Sequence, residues 1–124
     1  MEEENKGKIS IIIPTYNRSN YVKRAVESVL DQSYENTEII VIDDASVDDT
    51  RETIESIKDK RIKYIRNKEN KGANFSRNKG IKKSTGKYIS FLDDDDFFSD
   101  KNKLKKQVEL FLKNKNVVFV GCGY

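Results

Sequence analysis

Four aspartates stand in succession, Asp93-Asp94-Asp95-Asp96, directly after an apolar run that ends at Leu92. Adjacent carboxylates repel one another and weaken a strand end unless something cancels the charge. In extended chain alternate side chains share a face, so Asp93 and Asp95 point together, as do Asp94 and Asp96. Such an Asp-x-Asp pair suits a hard divalent cation, because Mg²⁺ and Mn²⁺ use one or two carboxylates and complete their shell with phosphate and water. An acidic loop capping a helix near Asp100 accounts for the same residues. A second pair, Asp43-Asp44, follows another apolar run. It reads as a further metal-ligand pair, as acceptors for a nucleobase or ribose, or as a cap for the following helix through Ser46. Tyr16, two residues after Pro14, offers a stacking surface for a base, or belongs to a packed turn.

The rest of the composition narrows this chemistry. The 124 residues contain no histidine and a single cysteine, Cys122. Histidine-dependent catalysis, histidine-ligated metals and disulfide frameworks are therefore excluded. Any metal must be held by oxygen, which means Mg²⁺, Mn²⁺ or Ca²⁺. No apolar run approaches the length of a membrane span. The acidic start, Met1-Glu2-Glu3-Glu4, is unlike a signal peptide, so the expected location is the cytoplasm or the cytoplasmic face of a membrane. Net charge is only +3, yet it is unevenly placed. Residues 58–87 carry twelve Lys and Arg against two acids, whereas residues 93–100 carry five Asp and no base. A basic strip beside an acidic cluster suits an anionic ligand held through a cation, and solvated helix and loop faces would look the same. Aromatic residues are not interleaved with the bases, so nucleic acid is not an expected partner. Glycine-rich dinucleotide and P-loop motifs are absent, and Ser84-Thr85-Gly86-Lys87 reads as a turn because it precedes a strand.

Positioning these residues falls to an alternation of strands and helices. Residues 10–13 form a short buried-type strand stopped by Pro14. A helix behind a Ser19-Asn20 cap follows, with apolar positions from Tyr21 to Leu30 at helical spacing. Residues 38–42 make a second strand. Ser46 with Asp49 resembles a capping box for a helix through Ile54 and Ile57. Residues 61–65 are a third strand, and residues 74–83 a weaker helix interrupted by Gly80. Residues 87–92 are a fourth strand. Leu104, Val108, Phe111 and Leu112 mark another helix, and residues 117–120 a fifth strand. Continuously apolar strands alternating with helices predict an α/β fold around a parallel sheet covered on both faces. Ligands in such folds sit beyond the carboxyl ends of the strands, where the strand order reverses.

Six segments occur in a fixed order and spacing from Lys8 onward. They are Ile11-Ile12-Ile13-Pro14-Thr15-Tyr16-Asn17, Ser28-Val29-Leu30-Asp31-Gln32-Ser33-Tyr34, Val41-Ile42-Asp43-Asp44-Ala45-Ser46-Val47-Asp48-Asp49-Thr50, Asn70-Lys71-Gly72-Ala73-Asn74, Ser76-Arg77-Asn78-Lys79-Gly80-Ile81, and the stretch from Gly86 to Asp96. Together they resemble the nucleotide-binding half of family 2 glycosyltransferases of the GT-A fold. The resemblance implies a Rossmann-like three-layer sandwich with a mostly parallel central sheet that stops after about its fifth strand. Residues 8–124 would form the nucleotide-sugar-binding domain behind a flexible stretch at 1–7.

By the same resemblance, the nucleotide-sugar contacts are Pro14, Thr15, Tyr16, Asn17, Asp43, Asp44, Gly72, Arg77, Asp93 and Asp94. Pro14 and Tyr16 line the base, with Tyr16 stacking on it, and Asp44 reads the base, in the manner of a uracil N3–H acceptor. Asp93 and Asp94 lie near ribose and diphosphate. Asp95, with Asp93, ligates Mn²⁺ or Mg²⁺. Arg77 helps to hold the pocket, and Lys71 is a solvated lysine or a phosphate contact. The implied reaction is metal-dependent sugar transfer, with inversion, from a nucleoside diphosphate sugar, UDP-linked by preference. The acceptor is a hydroxyl of a glycan or lipid-linked molecule in polysaccharide biosynthesis. No aspartate here matches the family's general base, which is expected beyond residue 124. A chain that ends there would bind donor more readily than it turns it over, and an uncovered sheet edge would favour a homodimer. Peripheral membrane association is a further expectation. A nucleotide-sugar-binding module without catalysis stays open beside the enzyme. A receiver-type signalling domain is disfavoured, because Pro14-Thr15-Tyr16-Asn17, Arg66-Asn67 and Gly121-Cys122 stand where its acids and lysine belong.

Overall fold

The protein is seen here as a computed structural model that describes residues 7–113. Along the chain run β1 (Ile9–Thr15), α1 (Ser19–Leu30), β2 (Thr37–Asp43), α2 (Thr50–Ser56), β3 (Ile62–Arg66), α3 (Ala73–Lys83), β4 (Tyr88–Phe91) and α4 (Lys103–Lys113). The expected fifth strand at 117–120, and the expected flexible stretch at 1–7 apart from Gly7, lie outside the described residues. Gly7 itself is buried, and its carbonyl accepts a hydrogen bond from the Tyr34 hydroxyl.

Among the described residues the sheet is parallel, in the order β3-β2-β1-β4. The first two crossovers step outward from β1 to β2 to β3. The third returns over β2 and β1 to place β4 on the far side of β1. Right-handed crossovers that reverse direction must lie on opposite faces, so α3 covers the face that α1 and α2 leave open. Strands buried on both faces need apolar residues at every position, and β1 and β2 have nearly that. Ile11, Ile12, Ile13 and Ile39, Ile40, Val41, Ile42 are all fully buried, each contributing about 1.5–3 kcal/mol relative to exposure. Ile9, Ile11 and Ile13 join Val22, Val26 and Val29 of α1 and Leu104 and Val108 of α4 in one apolar cluster.

Local expectations are adjusted where distant groups intervene. Pro14 does not stop β1, which continues to Thr15 in register with β2. The carbonyls of Lys8 and Ile12 accept from Tyr88 and Leu92 on the β4 side. Pro14 has the same parity, so its missing donor faces that side beyond the end of β4, where no ladder bond is lost. Gly80 does not interrupt α3 either. A Cβ there would lie 2.5 Å from Ile12 Cγ2, so the glycine is what lets the helix settle on the sheet. The expected Ser19-Asn20 cap is also replaced: α1 has no side-chain cap of its own, and the Asp48 carboxylate accepts from the Ser19 N–H at 3.3 Å. Asp48 additionally accepts from the Thr50 N–H and hydroxyl, at 3.0 and 2.5 Å, at the start of α2. One carboxylate thus serves two helix starts, and the Ser46–Asp49 capping box does not form. Burial pushes the Asp48 carboxyl up, but the hydrogen bonds from Thr50 and Ser19 outweigh it and hold it below its ordinary value.

Candidate functional site

The reversal of strand order at β1 opens a crevice beyond its carboxyl end, between the β1–α1 loop and the segment after β4. A cavity of about 350 Å³ lies there, within the size range of small-ligand sites. Pro14, Thr15, Tyr16 and Arg18 line it from the β1 side, and Asp93, Asp94 and Asp95 from the β4 side. Asp44 and the first turns of α3, with Ala73, Ser76 and Arg77, complete it.

Side chains that do not line the cavity hold those that do. Asn17 adopts a left-handed φ of 52° and ties two loops together. Its N–H donates to Ser46 Oγ at 2.8 Å, and its Oδ1 accepts from the Val47 N–H at 2.8 Å. Asp43 sits behind the cavity, almost fully buried. Its carboxylate accepts from the Ser46 N–H at 2.9 Å and from the Tyr64 hydroxyl, so both oxygens are engaged within the fold. Burial and the neighbouring Asp43 carboxylate push the Tyr64 phenol well above its ordinary value. Gly72 has a φ of 96°, which turns its N–H and that of Lys71 onto Asp44 at 2.8 and 2.7 Å. Asn67 Nδ2 adds a third donor to Asp44 at 2.8 Å. Burial raises the Asp44 carboxyl, but the Lys71 N–H, the Asn67 amide and the Gly72 N–H together hold it below the ordinary carboxylate value. Asp44 is therefore an anchored anion facing the cavity.

Asp94 is the half-buried member of the acidic run. Its Oδ2 accepts from the Thr15 hydroxyl at 2.9 Å. Burial pushes its carboxyl above the ordinary value, with Thr15 and Arg18 pulling it back and Asp95 adding to the push. Asp93 and Asp95 are more open, with side chains 58% and 54% exposed. Among the described residues no three carboxylate or thiolate side chains converge as a closed metal cage. Residues 94–95 form a turn, closed by the Asp96 N–H on the Asp93 carbonyl at 3.0 Å, so the extended alternation expected of the run does not form. Asp93 and Asp95 nevertheless both line the cavity, open carboxylates of the kind that Mg²⁺ or Mn²⁺ uses beside phosphate oxygens and water. Two guanidinium groups face the same run: Arg18 lies 3.2 Å from Asp95 and 3.4 Å from Asp94, and Arg77 lies 3.7 Å from Asp93.

The structure thus brings Pro14, Thr15, Tyr16, Asp44, Arg77, Asp93, Asp94 and Asp95 around one cavity. It places Asn17, Asp43 and Gly72 in supporting positions outside the lining. Arg18, Ser76 and Asn67 were not singled out by the sequence. Asn67 is buried, bonds Asp44 and Ser76, and accepts from Lys79 Nζ at 3.0 Å. The signal for Arg18 was a lone base between the Tyr16 loop and the first helix. Nothing local marks Asn67 as buried.

Ala45 carries the strain of this lacing, with a φ of 68°. A non-glycine residue in that region costs about 1–2 kcal/mol. Ala45→Gly should stabilise the protein by up to about 1 kcal/mol, the gain being trimmed by the freer unfolded chain. Thermal melts check this; a lower melting temperature would show that the Ala45 methyl group contributes more by packing than its backbone strain costs.

Comparison with known proteins places this geometry. The sequence pattern described as "Glycosyl transferase family 2" matches residues 10–124. An uncharacterised glycosyltransferase of Rickettsia bellii is 50% identical over 119 residues, which are 95% of this chain and 17% of the relative. The Escherichia coli protein WfgD, named as a UDP-Glc:alpha-D-GlcNAc-diphosphoundecaprenol beta-1,3-glucosyltransferase, is 41% identical over 94% of this chain and 45% of its own length. Among solved structures, S. aureus TarS 1-349 in complex with UDP-GlcNAc superposes with a TM-score of 0.82 at 29% identity, covering 87% of this chain and 32% of that one. The chain therefore spans less than half the length of these relatives.

Proposed function

Since the chain belongs to glycosyl transferase family 2 and has an α/β fold matching GT-A enzymes, we propose that its cleft binds the nucleoside diphosphate part of a sugar donor, UDP-linked by preference. The observation that carries this reading is the convergence of Tyr16, Asp44 and the Asp93–Asp95 run on one cavity at the strand-order reversal. Tyr16 is 45% exposed, so a ring face is available for stacking on a base. Asp44 is an anchored acceptor suited to an imide N–H such as that of uracil. WfgD uses a UDP-sugar by its name, and TarS binds UDP-GlcNAc, which supports UDP over GDP.

Asp95 and Asp93 are the residues that would hold Mn²⁺ or Mg²⁺. When bound, such an ion neutralises charge on the departing diphosphate. Asp94 stays fastened to Thr15 and keeps the loop in place, while Arg77 sets the opposite wall. The reaction proposed for the whole enzyme is inverting transfer of the sugar to an acceptor hydroxyl, with a carboxylate base removing its proton. No residue described here takes that role. A lipid-linked acceptor, as in the name of WfgD, would bring the enzyme to the cytoplasmic face of a membrane. No helix among the described residues is long and apolar enough to cross one.

Calorimetric titration with UDP and GDP, each with Mn²⁺ and with chelator, tests the proposal. Mn²⁺-dependent binding of UDP in preference to GDP is the expected result. Binding with no donor hydrolysis or transfer would mark a binding module. If neither nucleotide binds at millimolar concentration, the chain shares the fold without the site.

A further inference from the structure

Arg18 occupies an unusual place in the cavity wall. One terminal nitrogen, Nη1, lies 3.4 Å from Asp94 Oδ1 and 3.2 Å from Asp95 Oδ2, so a single positive charge sits between two carboxylates. The contact is long, monodentate on each side, and half exposed. Exposed pairs of this kind hold weakly, whereas a guanidinium forms its strong, forked pairs with phosphate oxygens. Its neighbour Arg24 is held differently. Its guanidinium stacks 4.5 Å from the Phe97 ring centroid and 5.7 Å from that of Tyr21, and donates to the Asp95 carbonyl at 3.4 Å. Arg24 therefore fixes the backbone of the acidic loop to α1, leaving Arg18 as the exchangeable charge over its carboxylates.

We propose that Arg18 is an exchangeable counter-ion: it gives up Asp95 to a divalent cation, leaves Asp94 to its hydrogen bond from Thr15, and turns its fork to the diphosphate of the nucleotide. The inference rests on the donor-site reading above and deepens it, adding a positioning residue whose two partners are occupied in turn. Its consequence is a pair of opposite effects. Replacing Arg18 removes a competitor for the metal and a ligand for the phosphate.

The test uses the full chain, wild type and Arg18→Gln, with Arg18→Lys beside them. Free Mn²⁺ is followed by its electron paramagnetic resonance signal without nucleotide, and UDP binding by calorimetry with saturating Mn²⁺. Arg18→Gln should tighten Mn²⁺ by about two- to fivefold and weaken UDP by about tenfold or more. Arg18→Lys, which keeps the charge but loses the fork, should leave Mn²⁺ near the wild-type value and still weaken UDP. A purely structural role for Arg18 would weaken both ligands together in Arg18→Gln, and that outcome overturns the proposal. Unchanged Mn²⁺ affinity overturns it equally. Wild type that binds neither ligand would instead remove the donor-site reading, and this inference with it.

Discussion

Glu38→Ala should destabilise the protein by about 3 kcal/mol, although Glu38 lies at the opposite end of the sheet from the cleft. Its side chain is 3% exposed and gathers donors from three elements. Ser10 Oγ and the Thr85 N–H both reach Oε2 at 2.5 Å, and Lys63 Nζ reaches Oε1 at 2.6 Å. Ser10 Oγ in turn accepts from the Gly86 N–H at 2.8 Å. The carboxylate therefore pins the turn before β4 against β1 and β2, which fixes where β4 begins and hence where its acidic end arrives. Alanine would strand the Thr85 and Ser10 donors in a buried site, at about 1–3 kcal/mol each. Lys63, about half exposed, can turn to water. Glu38→Gln keeps one acceptor and should cost about 1–2 kcal/mol.

The same contacts set a pH dependence. Burial pushes the Glu38 carboxyl up, but Lys63, Ser10 and Thr85 overcome it and lower it from 4.5 to about 2. A depressed folded value means the unfolded chain takes up the proton first. Stability from this group is complete above about pH 5 and is lost as pH falls through 4.5 toward 2. Discounted for the exposure of Lys63, the loss is about 1–2 kcal/mol. Urea melts at pH 7 and pH 3 should show this loss in wild type and not in Glu38→Ala. Equal losses in both would assign the acid sensitivity to other carboxylates.

The order of elements was legible because burial on both faces of β1 and β2 leaves continuous apolar runs, which polar loops delimit. The return of β4 to the far side of β1 was not in those runs. It depends on which face of the sheet each crossover helix covers, which apolar runs do not record. Helix starts were misread because sequence offers caps such as Ser19 and Ser46, whereas the fold uses Asp48, which is local to α2 but reaches Ser19 of α1 from 29 positions away. The acidic run and Asp44 stood out as charge at apolar strand ends. Their supports did not, because Asn67 is 23 positions from Asp44 and reads as an ordinary turn residue. Asp43 stood in sequence beside Asp44 as a further nucleotide contact, with the base given to Asp44. One residue of strand alternation turns its carboxylate to Tyr64 and Ser46 instead of the cavity.

Asp95→Ala should separate the chemistry of the acidic run from its structural role. Asp95 is a member of the run whose loss the fold should feel little. Its side chain is 54% exposed and its ion pair is the one with Arg18 at 3.2 Å, whereas Asp94 is fastened to Thr15 and half buried. The substitution should therefore change stability by no more than about 0.5 kcal/mol. Removing a direct ligand from an ion that has one or two protein carboxylates should lower Mn²⁺-dependent UDP affinity by at least about tenfold. UDP binding measured with chelator should not fall, because the freed Arg18 gains access to the diphosphate that Asp95 had competed for. Calorimetry with Mn²⁺ and with chelator, beside a thermal melt, reads all three quantities. Unchanged Mn²⁺-dependent affinity would move the metal to other ligands, and a lower melting temperature would show that Asp95 supports the loop as Asp94 does. A loss confined to the Mn²⁺ titration would leave an intact loop whose carboxylate faces the cavity in order to meet a cation, and that is why four acids in succession are tolerated there.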